Sequence, residues 1–186
     1  ISDDQLLVLR STVYPGTTDL LHNHLLSAGK KTPLAFCPER VVQGLAIREI
    51  QQFPQIVSGT TPEAERRADG LFRIVAPDTV ILSPMEAEFA KLFSNVYRYV
   101  QFAMANQFYM VCNSAGVDYE RVLEGIKRNY PRGRDIPGAG FTAGPCLFKD
   151  TMQLVAFSDN HFHLGHAAML VNEGLVLYVV DALAKR

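Results

Sequence analysis

The sequence has no excess of charge of either sign: 18 Lys and Arg stand against 19 Asp and Glu in 186 residues. Without a basic excess it has no electrostatic hold on a phosphate backbone, which excludes nucleic acid as its main partner. Cysteine is scarce. Cys37, Cys112 and Cys146 are far apart and form no Cys-x-x-Cys pair, so neither a zinc ribbon nor a disulfide framework is expected. The compartment this predicts is the reducing cytoplasm. No unbroken apolar run reaches the ~18 residues of a membrane span, and no membrane association is expected. The longest nearly uncharged stretch, Leu164 to Val180, is interrupted by His166, Asn172 and Glu173. There is no initiating Met, no signal-like segment, no internal repeat and no low-complexity linker. What remains is 48% apolar and 20% charged residues, the balance of a folded globular chain rather than a disordered one. The length allows one large domain or two small ones.

The first half alternates apolar runs with helix signals. Leu6 to Leu9, Leu34 to Cys37, Ile56 to Gly59 and Thr79 to Leu82 read as strands of the kind buried in a parallel sheet. Thr18 or Asp19 can cap a helix running to Ala28, closed by Gly29. Thr61-Pro62-Glu63 opens another, with Pro at the first helical position. Strand, helix, strand, helix, strand at this spacing predicts part of a doubly wound α/β domain.

The second half reads as helical. Ser83-Pro84-Met85-Glu86 is a start signal, with Ser as cap and Glu reaching back to it. Apolar residues then recur every three or four positions from Phe89 to Val111, predicting one helix of about 30 residues. Tyr97, Tyr99, Phe102 and Tyr109 widen its apolar surface beyond one stripe, so a second neighbour such as a dimer partner is expected. A short helix follows from Asp118 to Arg128, then a Gly/Pro-rich loop, then helices over about 150–157 and 164–185.

Several residues carry candidate chemistry. Gly138-Ala139-Gly140-Phe141-Thr142-Ala143 matches the dinucleotide fingerprint in letters, but no strand precedes it, so it reads as a loop. His161, His163 and His166 are close in sequence but lack a nearby carboxylate or Cys, and read as a solvated turn rather than a metal site. Cys146 lies just past the Gly-rich loop and before a helix, where a thiolate is favoured; the alternative is a small cysteine without chemistry. Lys91 and Asn95 are four apart on the long helix and share a face; a Lys there can also simply snorkel. Glu39 and Thr12 follow strands, where α/β folds keep ligand-contacting groups. Asp150 is either functional or the cap of its helix.

Taken together these segments resemble the UDP-glucose/GDP-mannose dehydrogenase family, the nucleotide-sugar dehydrogenases. The resemblance rests on Ser11 to Thr18, Cys37-Pro38-Glu39-Arg40, Ala87 to Asn95, and Gly138-Ala139-Gly140 through Gly144-Pro145-Cys146-Leu147-Phe148-Lys149-Asp150, in the family's order. It implies NAD-dependent oxidation of the C6 alcohol of an NDP-hexose to the uronate, through a thiohemiacetal and a thioester on Cys146. Lys91 and Asn95 would then stabilise the oxyanion, Glu39 would act as general base, and Asp150 and Thr12 would orient water. Arg132, Arg134, Gly138, Gly140 and Gly144 would contact the substrate, and Thr12, Gln43 and Lys149 the cofactor. No metal is implied.

The sequence departs from the family's pattern at Gln43, where relatives often carry a carboxylate, and at Ala143, where they carry Gly. The family's strand–GxGxxG–helix is not among these residues, nor is its C-terminal domain. The expectation is therefore a fragment, inactive alone. Residues 1–83 would be the end of a Rossmann-like NAD domain, and 84–186 a helical dimerisation and substrate domain built on the long helix. Two other readings stay open: a β-hydroxyacid or 6-phosphogluconate-type dehydrogenase, which shares Lys-x-x-x-Asn but needs no Cys, and a non-catalytic dimerisation module.

Overall fold

The computed structural model describes residues 1–42, 44–142 and 145–185, which divide into two units, 1–93 and 94–186. The first is a four-stranded sheet with helices on both faces. Its strands are β1 (Leu7–Leu9), β2 (Leu34–Phe36), β3 (Gln55–Gly59) and β4 (Thr79–Ile81), in the order β1-β2-β3-β4. Its helices are α1 (Thr17–Ser27), α2 (Ala46–Ile50) and α3 (Pro62–Phe72), followed by the first turns of α4 (Pro84–Ser114).

Strand side chains alternate between two cores. Ala35, Cys37 and Val57 pack with Ala68 and Phe72 of α3 on one face, with Leu6 and Val8 against them. Phe36 and Ile56 pack with Ala87 of α4 on the other, with Leu9, Val13, Leu82 and Ala90. Burial on both faces is why β2 is an unbroken apolar run, Leu34-Ala35-Phe36, with all three residues buried. β1 pairs parallel with β2 (Val8 opposite Ala35), and β3 with β4 (Ile56 opposite Val80). The central pair runs antiparallel, Phe36 opposite Ser58. The connection from β2 to β3 carries the five-residue α2. Gly59 has a packing reason: a Cβ there would stand 2.2 Å from the Glu65 backbone nitrogen in α3.

The helix signals work locally. Thr61 accepts from the Ala64 N–H as cap of α3. Ser83 and Glu86 form a reciprocal box at the start of α4, the Ser83 N–H donating to Glu86 Oε2 at 2.8 Å. Gly29 and Gly116, at φ +73 and +68, close α1 and α4 in the left-handed conformation that glycine adopts without a Cβ penalty.

The second unit is helical. It holds the remainder of α4, α5 (Tyr119–Lys127), a 3₁₀ turn at Pro131–Gly133, α6 (Pro145–Phe157) and α7 (His163–Ala184). Tyr99 and Ala103 of α4, Leu147 of α6 and Ala168 of α7 form its core. Gly165 permits close packing of α7, since a Cβ would meet Val155 and Phe162 at 2.7 Å. One boundary differs from expectation: α6 begins at Pro145, not Asp150. Pro145 supplies the preset φ of a first helical residue, and Asp150 lies in the second turn, so it is not the cap. By length and composition alone α7 could also cross a membrane, with a mean hydropathy of 1.6. Averaging along the helix tolerates the polar residues that interrupt its apolar run. Two of these, Asn172 and Glu173, are bonded to Tyr99 of α4, which ties the middle of α7 into the helical unit.

Candidate active site on helices α4 and α6

In the second unit, Cys146 occupies the first turn of α6 and is exposed. Asp150 follows one turn later, so the two share a face. Asp150 is fully buried. Its Oδ2 accepts from Asn95 Nδ2 at 2.6 Å, and its Oδ1 stands 2.9 Å from Lys149 Nζ. A buried carboxylate is tolerated only with such partners, and these fix its direction. Asn95 thereby joins α4 to α6 at Asp150, one helical turn beyond Cys146. The arrangement offers an accessible nucleophile, an oriented carboxylate and an amide donor. Lys149, expected at the cofactor, has its amine on Asp150.

The loop expected to contact substrate is held from several sides. Gly138 and Gly140 lie in irregular backbone, as expected of a loop. Asn106 bonds both the N–H and the carbonyl of Gly140, and the Tyr119 hydroxyl donates to the Pro137 carbonyl at 3.2 Å. Arg132, in the 3₁₀ turn, lies over the Tyr130 ring at 5.0 Å, and Arg132 and Arg134 are exposed. Gly144 and Gln43 lie outside the described residues. Among the described residues no group of three or more His, Cys, Asp or Glu could hold a metal ion.

In the first unit, Glu39 follows β2 and is engaged rather than free. Its Oε2 pairs with Arg10, and its Oε1 accepts from the Arg40 and Val41 N–H groups at 2.8 and 3.1 Å. Burial acts to raise the carboxyl, but the Val41 hydrogen bond and the Arg10 charge outweigh it and hold Glu39 below the usual carboxylate range. Arg10 also donates to the Cys37 carbonyl at 3.0 Å and lies over the Phe72 ring at 4.7 Å. Arg10→Gln is therefore expected to move the Glu39 titration upward, measured by carboxyl NMR. The sign follows from the depressed pKa. Stability from the Arg10–Glu39 pair is present above the unfolded-state carboxyl pKa of about 4.3 and is lost as pH falls through the lowered value. The variant loses that acid-side dependence. Cys37, by contrast, is buried and its thiol is pushed up to about 11, so it remains a neutral core residue at pH 7.

Thr12 is half-buried beyond the end of β1. The segment after it is held by Glu88, a residue given no role in the sequence analysis. Glu88 is 1% exposed. Its Oε2 accepts from the Gly16 N–H at 2.6 Å, and its Oε1 accepts from the Thr18 N–H at 2.8 Å and the Thr18 hydroxyl at 2.6 Å. A carboxylate from α4 thus caps α1, satisfying donors its own sequence leaves open. Glu88 and Thr61 thus take up the Thr18 and Ala64 N–H groups at the starts of α1 and α3, donors of the kind that can meet a pyrophosphate. What these residues offer a dinucleotide is the carboxyl end of β1 with Thr12. Glu88 sits inside the matched Ala87–Asn95 segment; an acidic residue among the apolar positions of a helix was the signal that could have found it.

Residues 1–76 match the NAD binding domain of the UDP-glucose/GDP-mannose dehydrogenase family, and residues 85–174 match its central domain. The chain belongs to this family of NAD-dependent oxidoreductases. It is 30% identical over 190 residues to a UDP-N-acetyl-D-mannosamine dehydrogenase of Yersinia pestis, an alignment covering 95% of this chain and 45% of the relative. Among solved structures it is similar to a UDP-D-ManNAc dehydrogenase from Pyrococcus horikoshii, with TM-score 0.91 and 27% identity over 100% of this chain and 46% of that one. A UDP-glucose dehydrogenase from Pyrobaculum islandicum gives TM-score 0.86 and 29% identity, covering 98% and 44%. The chain thus spans less than half the length of the relatives it matches.

Proposed function

We propose that this chain carries the nucleophile and central catalytic groups of an NAD-dependent enzyme that oxidises the C6 alcohol of a nucleotide sugar to the uronate. The observation that carries the reading is the Asn95–Asp150 hydrogen bond, formed on the α6 face that also bears an exposed Cys146 at the helix N-terminus. This constellation also favours the reading over a hydroxyacid dehydrogenase, which has no use for the thiol.

NAD, when bound, would supply the hydride acceptor for each of two oxidations. The chain's residues manage the rest. After the first oxidation the Cys146 sulfur adds to the aldehyde carbon, and the oxygen takes a proton to give a thiohemiacetal. Lys91 and Asn95, one helical turn apart on α4, stabilise the developing oxyanion. Loss of the second hydride and of the hydroxyl proton leaves a thioester. Water, held by Asp150 and Thr12 and deprotonated by Glu39, then releases the carboxylate and regenerates the thiol. For Glu39 this role requires the carboxylate to leave Arg10. Arg132, Arg134 and the loop bearing Gly138, Gly140 and Gly144 contact the nucleotide sugar, and Thr12, Gln43 and Lys149 border the cofactor, Lys149 by leaving Asp150.

The two-domain reading goes with this assignment: the end of an NAD domain over residues 1–83, and a central helical domain over 84–186. A homodimer through the long helix is part of it, supported by exposed Tyr97, Phe108 and Val111 on α4 and Leu170 and Leu177 on α7, more apolar surface than a lone helical unit usually leaves open. The test is a full-length enzyme carrying this chain, incubated with NAD and a panel of NDP-hexoses while NADH is followed. Two NADH per uronate are expected. No NADH with any NDP-hexose, or oxidation of a hydroxyacid instead, overturns the proposal.

A further inference from the structure

Asn106, on α4, is fully buried. Its Oδ1 accepts from the Gly140 N–H at 2.8 Å, and its Nδ2 donates to the Gly140 carbonyl at 3.1 Å and to Asn172 Oδ1 at 2.9 Å. Asn172, on α7 and 5% exposed, donates onward from Nδ2 to the Tyr99 carbonyl at 3.0 Å. Burying primary amides costs free energy unless their polar atoms are paired, and apolar residues of similar volume would fill the same space without that cost. What the amide can do, and a Leu could not, is hold the N–H and the C=O of one residue, and so both peptides that meet at Gly140, at once.

The residue it holds lies in a stretch without regular structure, six residues before Cys146. Gly140 offers no side chain to anchor the loop. A Cβ there would meet nothing within 4 Å, so crowding does not demand the glycine. Its open side is the kind of backbone surface that a ligand can approach closely.

We propose that Asn106, backed by Asn172, is a positioning residue: it fixes the two peptides that meet at Gly140 so that the loop presents a preformed backbone surface to the nucleotide sugar. This rests on the reading of Cys146 as the nucleophile for that substrate. A loop ordered in advance spares the substrate the entropy of ordering it. Loss of the latch therefore raises KM more than it lowers kcat. A residue that only supported the fold would lower the active fraction, and with it the apparent kcat, at unchanged KM.

The test has two arms. Amide hydrogen exchange on the 186-residue chain compares wild type with Asn106→Ala and Asn172→Ala. In Asn106→Ala the Gly140 amide is expected to exchange about tenfold faster or more, having lost the acceptor of its hydrogen bond, while amides of α5 and α7 keep their rates. Asn172→Ala, which leaves both bonds to Gly140, gives a smaller acceleration at the same amide and carries the comparison if Asn106→Ala does not fold. In a full-length enzyme carrying this chain, Asn106→Ala is expected to raise the nucleotide-sugar KM about tenfold with kcat changed far less. The proposal is overturned if Gly140 exchanges in wild type like an unprotected peptide, if all amides of the helical unit accelerate together, or if kcat falls at unchanged KM. If the exchange result holds but NDP-hexoses are not substrates, the functional reading has failed while the latch on the loop stands.

Discussion

Cys146→Ala, in a full-length enzyme carrying this chain, is expected to abolish uronate formation. The loss should be on the order of a thousandfold or more, about 4 kcal/mol of transition-state stabilisation. The variant should also separate the two oxidations. The thiol enters only once an aldehyde exists, so the alcohol can still give up its first hydride, and the second oxidation stops for want of the thiohemiacetal. The measurement is uronate and aldehyde in parallel, by chromatography of quenched reactions. Wild-type uronate production by this variant would remove Cys146 from the mechanism. The substitution sits at an exposed position in the first turn of α6, where truncation leaves no core cavity, so the chain's melting temperature should hardly move.

The second large effect is on stability. Glu88→Ala removes a buried carboxylate that accepts from two backbone N–H groups and a hydroxyl. Those donors are left at the start of α1 without the acceptor that satisfies them, and hydrogen bonds to a charged group are the costly ones to lose. A destabilisation of about 3 kcal/mol or more is expected, measured by denaturant unfolding of the chain. Glu88→Gln keeps one carbonyl oxygen as acceptor and should cost distinctly less than the alanine variant. Equal costs would mean that the carboxylate acts as a space-filler rather than as the cap of α1. Because the segment it holds follows Thr12, loss of this cap should loosen the end of β1 as well.

Much of the architecture was written locally in the sequence. β2 is an apolar run because both faces of the sheet are covered there, and α4 starts where Ser83 and Glu86 can bond each other. The start of α6 was misplaced because Asp150 has the chemistry of a cap, although Pro145, with its fixed φ, carried the better signal. The antiparallel pairing of β2 with β3 depends on the path of the connection between them, which apolar periodicity does not record. At the site, the sequence brought Cys146, Asp150 and Asn95 into consideration through the family's motifs. It did not reveal that Asp150 is the hydrogen-bond partner of Asn95, 55 residues away. Glu88 and Gly16, or Asn106 and Asn172, meet across similar separations. Such bonds leave no periodic trace, because each partner is only one polar residue on an otherwise ordinary helix. Arg10 was passed over for the same reason: its partners, Glu39 and the Cys37 carbonyl, are supplied by the end of a neighbouring strand.

The claim that ties these observations to a reaction is that the substrate becomes covalently attached to Cys146 between the two oxidations. It is tested most directly by intact-mass and peptide mass spectrometry of the full-length enzyme, quenched in acid during turnover with NAD and its NDP-hexose. The account predicts an acyl adduct on the Cys146 peptide, lighter than the intact sugar nucleotide by the hydrogens removed in two oxidations and absent from Cys146→Ala. Uronate accumulating with no adduct on that peptide, or an adduct on another residue, would contradict it.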